Sequence, residues 1–427
     1  MYTELKSLSK SSVIYIIFGF ANALVPLILI PVLTRYLTPA EYGIVGFFIM
    51  ILTAFSSMSA LGVEGAATRK YFDEGIKSNE IAEFVGSCFL ILIFTVLCLL
   101  LLTLMLTNFT SIFIGLDLIW VLAAVFAGGC MMALQLASGQ AQVRNKPILF
   151  GSLQLLYGIS QLSISIVLVV AFKYGAEGRM FGIFISYLMM LCISLYILKR
   201  FSWIKFNFRK DYIIEALNFG VPLLPHSIAL IILAMADRYL IGVFLKFEDL
   251  GIYILAMQLA AVLSIFFNSF HNAFTPWLYS QLKKKDYTVN STIVAFTYLY
   301  IVCFVIFGFI ALNFAPKIIR IMASSPEYYE AETLISFLIF AQIFTGFYLM
   351  HVGYLLYEKR TKLLSAITLS SGMLNIFLIL ILINPYGIQG VAVATFVSMF
   401  VRFSLVWFFS NKVHPMPWIT FAKKIKI

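Results

Sequence analysis

The sequence predicts an all-α, polytopic membrane protein with about twelve transmembrane helices in two homologous six-helix lobes, residues 1–205 and 206–427. Three observations predict it. Of the 427 residues, 62% are hydrophobic and 11% charged, and the mean hydropathy is +0.98; that leaves too little polar surface to cover a water-soluble globule of this size, so lipid must be the solvent for most of the chain. Twelve apolar stretches reach the roughly 20 residues needed to cross about 30 Å of hydrocarbon. Finally, YGAEGRMFGIFIS at 174–186 recurs as YGIQGVAVATFVS at 386–398, an offset of 212.

The first span, 12–34, follows a polar start, MYTELKSLSK, and runs its full length without an A-x-A-like site, so it is expected to remain as a helix rather than be cleaved as a leader. Gly19, Asn22, Pro26 and Pro31 mark it as a helix that bends. Spans 41–63 and 82–107 follow. Spans 117–140 and 148–172 carry polar stripes at helical spacing, Gln135, Ser138, Gly139 and Gln142 on one and Gln154, Gly158, Gln161 and Ser165 on the other. Span 180–198 closes the first lobe. The second opens with 214–244, where Pro222 and Pro225 again predict a bend, and continues with 250–273, which leads into Asn268, His271, Asn272 and Thr275. Spans 291–315 and 331–357 precede 363–384, with Ser365, Thr368, Gly372 and Asn375, and 387–410 ends the series. In lipid such stripes turn toward protein or a water-filled cavity. Interhelical hydrogen bonding is the plainer use of any one stripe, whereas four across both halves point to a shared polar interior.

A net charge of +11 would suggest nucleic acid in a soluble protein, but here it follows the loops. With a cytoplasmic N-terminus, the inner tails and loops hold 22 Lys and Arg, the outer side holds 6, and Arg238 and Arg402 lie within spans. This is the positive-inside bias, and it predicts both termini in the cytoplasm and no nucleic-acid partner. Cys88, Cys98, Cys130, Cys192 and Cys303 stand singly in apolar segments, with no C-x-x-C pair and no His at ligand spacing, and are read as small hydrophobes rather than metal ligands. No nucleotide-binding Gly-rich loop, zinc spacing or Ser-His-Asp set occurs, so neither an enzyme nor an organic cofactor is expected.

The repeat aligns Tyr174, Gly175, Gly178 and Ser186 with Tyr386, Gly387, Gly390 and Ser398. Near the start of each half, AEYGI around Gly43 answers EDLGI around Gly251, an offset of 208. An even number of helices per repeat gives both halves one orientation, related by an axis along the membrane normal, with a binding site expected between the lobes.

LIILAMADRYLIGVFL, 230–245, sets Asp237 beside Arg238 in an apolar run. Neighbours on a helix point about 100° apart, so the two are not expected to form one good ion pair and need different partners. His226, eleven residues before Asp237, lies on nearly the same face. An unpaired charge near the bilayer centre costs roughly 2.5–3.5 kcal/mol, so these residues are expected to face the interior.

Around these charges, NFGVPLLPHSIALIILAMADRYLIGVFLKFEDLGIY, 218–253, resembles the seventh-helix region of bacterial polysaccharide flippases, the Wzx-type O-antigen transporters of the multidrug/oligosaccharidyl-lipid/polysaccharide exporter superfamily. The shared features are F-G-x-P-x-x-P, D-R-Y and G-x-Y. PVLTRYLTPAEYG, 31–43, and LGVEGAATR, 61–69, resemble that family's ends of helices 1 and 2. The resemblance implies a MATE-like fold in a bacterial cytoplasmic (inner) membrane. It implies transbilayer movement of an undecaprenyl-diphosphate-linked oligosaccharide, in O-antigen and lipopolysaccharide biosynthesis or a similar pathway, through a cationic cavity. On that basis Arg238, Arg35 and Arg402 face or flank the cavity, and Arg69 with Lys70 stands at its cytoplasmic mouth. Asp237 and Glu64 hold the arginines or couple to an ion, a proton or sodium, with His226 as a candidate proton site. Arginine suits this cargo because its planar fork can hold two phosphate oxygens. The partners implied are the lipid-linked oligosaccharide, membrane lipid and other polysaccharide assembly proteins. A MATE-type drug or cation antiporter is the second reading, but an acid would then be expected in the first helix, and 12–34 holds none. A membrane-embedded glycan polymerase or ligase would be expected to carry a large charged outer loop, whereas the longest outer stretch is about 316–331.

Overall fold

Within hydrocarbon a chain can satisfy its backbone N–H and C=O groups only in helices or closed barrels, and the described residues form helices with no strand. The structure is a computed structural model that describes residues 2–106, 116–283 and 287–418. Two compact units emerge, 1–243 and 244–427. The first holds α1 (Tyr2–Tyr36), α2 (Pro39–Ala60), α3 (Val63–Lys70), α4 (Ser78–Met105), α5 (Leu118–Val143), α6 (Pro147–Ile166), α7 (Gly175–Arg200), α8 (Lys210–Gly220) and nearly all of α9 (Leu224–Phe244). The second holds α10 (Phe247–Leu282), α11 (Tyr287–Met322), α12 (Ala331–Tyr357) and α13 (Thr361–Val413). Among the described residues eleven helices are long and apolar enough to span a membrane. The last of them, α13, breaks at Gly387, where φ is 55° and ψ −140°, and so supplies two passes. The total is the twelve that the sequence predicts.

The two halves begin alike. Ahead of α2 the Thr38 N–H donates to Glu41 Oε2 at 2.9 Å; ahead of α10 the Lys246 N–H donates to Asp249 Oδ2 at 3.0 Å. Both pairs keep the offset of Gly43 and Gly251, and each carboxylate meets a spare N–H at the positive end of a helix. The later repeat is equally matched: Gly175 and Gly387 take φ of 53° and 55°, a conformation that glycine enters without a Cβ clash. Three residues on, Gly178 and Gly390 let the new helix lie on the backbone of the one before, because a Cβ would press on the Leu168 carbonyl in one half and overlap the Leu382 carbonyl in the other. These are the motifs of an internal duplication of six helices. The contact boundary at 243 and the repeat boundary expected at 205 differ because one follows packing and the other follows the motif offset.

In the first unit α5 is central, packing on α2, α4 and α7, while α1 lies along α6. Small residues set these approaches: a Cβ on Gly128 would stand 2.9 Å from the Ser56 N of α2, and Gly158 admits Asn22 and Val25 of α1. One core cluster runs from Phe84, Val85 and Phe89 on α4 through Ala133, Leu134 and Ala137 on α5 to Met190 on α7, and takes in Trp203 and Ile204 of the next connection. In the second unit α12 packs on α10, α11 and α13. Outward faces are apolar as a lipid solvent requires, with Phe94, Leu97 and Leu101 exposed on α4 and Val302, Ile306 and Phe309 on α11. All five cysteines are free; Cys88 and Cys130 are buried in protein, and Cys98, Cys192 and Cys303 are exposed within spans.

The predicted bends resolve differently. α1 continues as one helix through Pro26 and Pro31. The expected single span 214–244 is instead two helices, α8 and α9, separated by a 3-10 turn over Val221–Leu223 that contains Pro222.

Candidate functional site

At the α2–α3 turn, Leu61 and Gly62 both take positive φ, 47° and 71°, and the reversed chain docks backbone to backbone on Gly220 at the end of α8. A Cβ on Gly62 would meet the Gly220 Cα at 2.8 Å, and one on Gly220 would overlap the Leu61 carbonyl oxygen. α3 therefore starts with Glu64 inside the unit, where its Oε2 is buried without a hydrogen-bond partner among the described residues. Arg69 is exposed, its guanidinium 5.8 Å from the Phe219 ring centre. Lys70, grouped with Arg69 by the sequence, is instead engaged within the protein: Nζ donates to Glu215 Oε1 at 2.6 Å and lies 3.2 Å from Asp73 Oδ2. Burial works against its charge, but the bonds to Glu215 and Asp73 outweigh that and raise its pKa above the usual lysine value. Nearby, the Arg144 guanidinium lies 4.9 Å from Tyr71 and 4.7 Å from Trp203, and burial lowers its pKa.

At the other end of the first unit, Arg35 is exposed in the last turn of α1, where a cation is favoured by the helix dipole. Asp237 is buried and Arg238 partly so. The two side chains approach without a good ion pair: Arg238 Nη1 lies 3.7 Å from Asp237 Oδ1, too long for a hydrogen bond. The same Oδ1 accepts the Arg238 backbone N–H at 2.8 Å, and Nη1 donates to the Ala234 carbonyl at 3.0 Å. The Arg238 side chain folds back one turn to that carbonyl, which brings its guanidinium near the Asp237 carboxylate despite the roughly 100° separation. The His226 side chain lies outside the described residues.

Two arginines stand out for what they lack. Arg402, in the second half of α13, carries its guanidinium 4.1 Å from the Tyr348 ring centre on α12, and its Nε is buried with no hydrogen-bond partner among the described residues. It lies eight residues before 410, the end of the last apolar span, about two turns or 12 Å along the helix. The other, Arg179, was not among the residues singled out from sequence. It is 6% exposed, donates from Nη1 to Ser165 Oγ at 2.6 Å, and leaves Nε buried and unbonded. Tyr157, Tyr42 and Tyr187 are its electrostatic neighbours, the first and last stacked at 4.3 Å. Neither arginine has a carboxylate at ion-pair distance among the described residues. A signal for Arg179 was present: a lone cation in G-R-M-F-G, one residue before the span drawn at 180–198.

The polar stripes include ordinary interhelical bonds, Gln154 Nε2 to Ser138 Oγ at 3.3 Å in the first unit and Ser398 Oγ to Asn375 Oδ1 at 2.9 Å in the second. What remains chemically available is a pair of interior guanidinium groups, one in each unit, with N–H donors that no carboxylate accepts. Such groups attract anions.

A sequence profile described as polysaccharide biosynthesis protein matches residues 8–282, and one described as MatE matches 222–381. A protein named for the Lsg locus of Haemophilus influenzae is 25% identical over 287 residues, 66% of this chain and 68% of its own. Among solved structures, lipid II flippase MurJ in its inward closed conformation gives a TM-score of 0.74 at 16% identity, covering 96% of this chain and 89% of that one. An inward-facing multidrug resistance MATE family transporter of the MOP superfamily gives 0.72 at 11% identity, covering 96% of each. At these identities the solved structures speak for the fold.

Proposed function

Because the chain belongs to the polysaccharide biosynthesis protein family, we propose that it is a flippase carrying an undecaprenyl-diphosphate-linked oligosaccharide, an O-antigen repeat unit or similar, from the inner to the outer leaflet of a bacterial cytoplasmic membrane by alternating access. The observation that supports it most is Arg402, a cation about two turns inside an apolar span with a buried N–H left over. A cation in the hydrocarbon costs free energy to insert, up to roughly 2.5–3.5 kcal/mol at its centre, and an anionic cargo is a reason to keep it. The diphosphate is the constant part of that cargo, the isoprenoid tail can stay in lipid, and only the sugars need a polar interior. Arg238 and Arg35 are proposed to hold the diphosphate in turn, with Arg69 at the entry, Asp237 orienting Arg238, and the Glu64 carboxylate, its Oε2 unbonded among the described residues, free to couple to an ion.

The test is export at matched protein levels. Arg402→Ala should cause lipid-linked repeat units to accumulate on the inner leaflet and surface polysaccharide to fall at least tenfold, a loss of about 1.4 kcal/mol or more. Arg402→Lys should restore part of the flux, since it keeps the charge without the fork. Full export by Arg402→Ala would remove the support. The MatE match keeps a cation antiporter as the second reading. That reading lacks an acid in residues 12–34, and it would prevail if expression protected cells from cationic drugs while deletion left surface polysaccharide intact. Proton coupling through His226 is the narrower proposal: His226→Gln should abolish any response of transport to an imposed pH gradient.

A further inference from the structure

Between α12 and α13 the chain turns on Glu358, Lys359 and Arg360. Lys359 holds φ of 56°, a left-handed conformation that is uncommon for a residue with a Cβ and costs roughly 1–2 kcal/mol. This turn borders a cavity of about 670 Å³ lined by Lys359, Arg360, Lys362 and Lys412, with Phe409 and Leu363 among its apolar walls. The acid in the lining, Glu358, is directed elsewhere: its Oε1 is 2.8 Å from His414 Nδ1. Among the described residues none of the four cations has a carboxylate at ion-pair distance. The cavity also takes in the first turn of α13, Thr361 to Leu363, whose N–H groups precede the first intrahelical bond, from the Leu364 N–H to the Arg360 carbonyl.

Charge bias between loops explains basic residues at the end of a span. It does not explain four of them around one cavity with the local carboxylate turned away. We propose that this cavity binds the phosphate headgroup of an anionic membrane phospholipid. The chemistry it recognises is a phosphate bearing one or two negative charges, met by ammonium and guanidinium groups and by spare backbone N–H donors. Its position favours lipid over free phosphate as the source: apolar spans end on both sides of the turn, which sets it at headgroup level, where basic pockets between helices take acidic lipids. Phe409 and Leu363 then meet the glycerol and upper acyl carbons. This site is separate from the arginines of the proposed transport path and does not depend on the cargo.

The experiment uses the full chain, purified in detergent and stripped of lipid, with bound molecules counted by native mass spectrometry during titration with phosphatidylglycerol, phosphatidylcholine or inorganic phosphate. One phosphatidylglycerol should bind in preference to phosphatidylcholine. The triple variant Lys359→Asn, Lys362→Gln, Lys412→Gln should weaken it on the order of a hundredfold, as expected for three basic groups at a lipid surface. Asn tolerates the left-handed turn, so the turn should persist. A second triple with the same loss of charge, Lys199→Gln, Arg200→Gln, Lys210→Gln, should leave that binding unchanged. Equal loss in both triples would mean diffuse attraction, and equal affinity for the two lipids would mean no site; either overturns the proposal. Displacement of the lipid by millimolar inorganic phosphate that itself stays bound would assign the site to a free anion and overturn the lipid reading. Lys412→Glu, which leaves the turn untouched, should weaken phosphatidylglycerol binding by itself and provides the same decision if the triple fails to fold.

Discussion

An arginine buried in a membrane helix without an acid is either a strut or a ligand group, and substitution separates the two. For Arg179, Met fills similar space without a charge, so if the guanidinium is held for an anion, Arg179→Met should unfold at the same or a higher temperature while export falls. A lower unfolding temperature with normal export would make it a strut between α6 and α7 through Ser165. Lys70 gives a pH prediction. Its folded pKa is raised above the usual lysine value, so its contribution to stability is complete at neutral pH, below the unfolded pKa, and is lost only as pH rises through the folded one. Thermal unfolding across the alkaline range should fall more steeply for the wild type than for Lys70→Met. The visibility of these residues from sequence follows from their surroundings. Arg402 and Asp237 each interrupt an apolar run and can be seen at once. Arg179 hides in a glycine-rich connection, where a cation passes for a loop residue until packing buries it. The contact between Asp237 and Arg238 depends on rotamers, which a helical wheel does not carry.

Among the elements, the short helices were the hardest to foresee. α8, KDYIIEALNFG, is amphipathic and too short to span, so a hydropathy window merges it with the apolar run beyond Pro222. F-G-x-P marks the break itself. The glycine, though, has a use that sequence could not reveal: Gly220 lies on the backbone of the α2–α3 turn. Gly220→Ala should destabilise the purified protein by about 1–3 kcal/mol, the usual cost of overpacking, and lower its unfolding temperature. Gly19→Ala makes the comparison, since a Cβ there meets nothing within 4 Å and a helical Gly→Ala change gains up to about 1 kcal/mol. An unchanged Gly220→Ala protein would mean that the docked turn contributes nothing to stability.

At the scale of the whole molecule, twelve passes and a duplication were legible because span length and motif offset are one-dimensional properties. Which helices cluster is set by packing, and there the sequence was silent about α9 joining the first unit. The duplication makes a paired prediction. Gly387→Ala should cost about 1–3 kcal/mol from backbone strain alone, because its Cβ would enter open space, whereas Gly175→Ala should in addition displace the Glu41 carboxylate. The proposed alternating access makes another: cysteine at position 237 or 238 should react with a membrane-impermeant thiol reagent only in the state open to that side. Constant rapid labelling would contradict it. The native thiols are well disposed for that measurement. Cys88 and Cys130 are enclosed by protein, and Cys98, Cys192 and Cys303 are exposed within apolar spans, where a thiol in contact with acyl chains is out of reach of a water-soluble maleimide. Labelling of the unaltered chain then gives the background against which an introduced cysteine is read, and a low background makes a cysteine-free variant unnecessary.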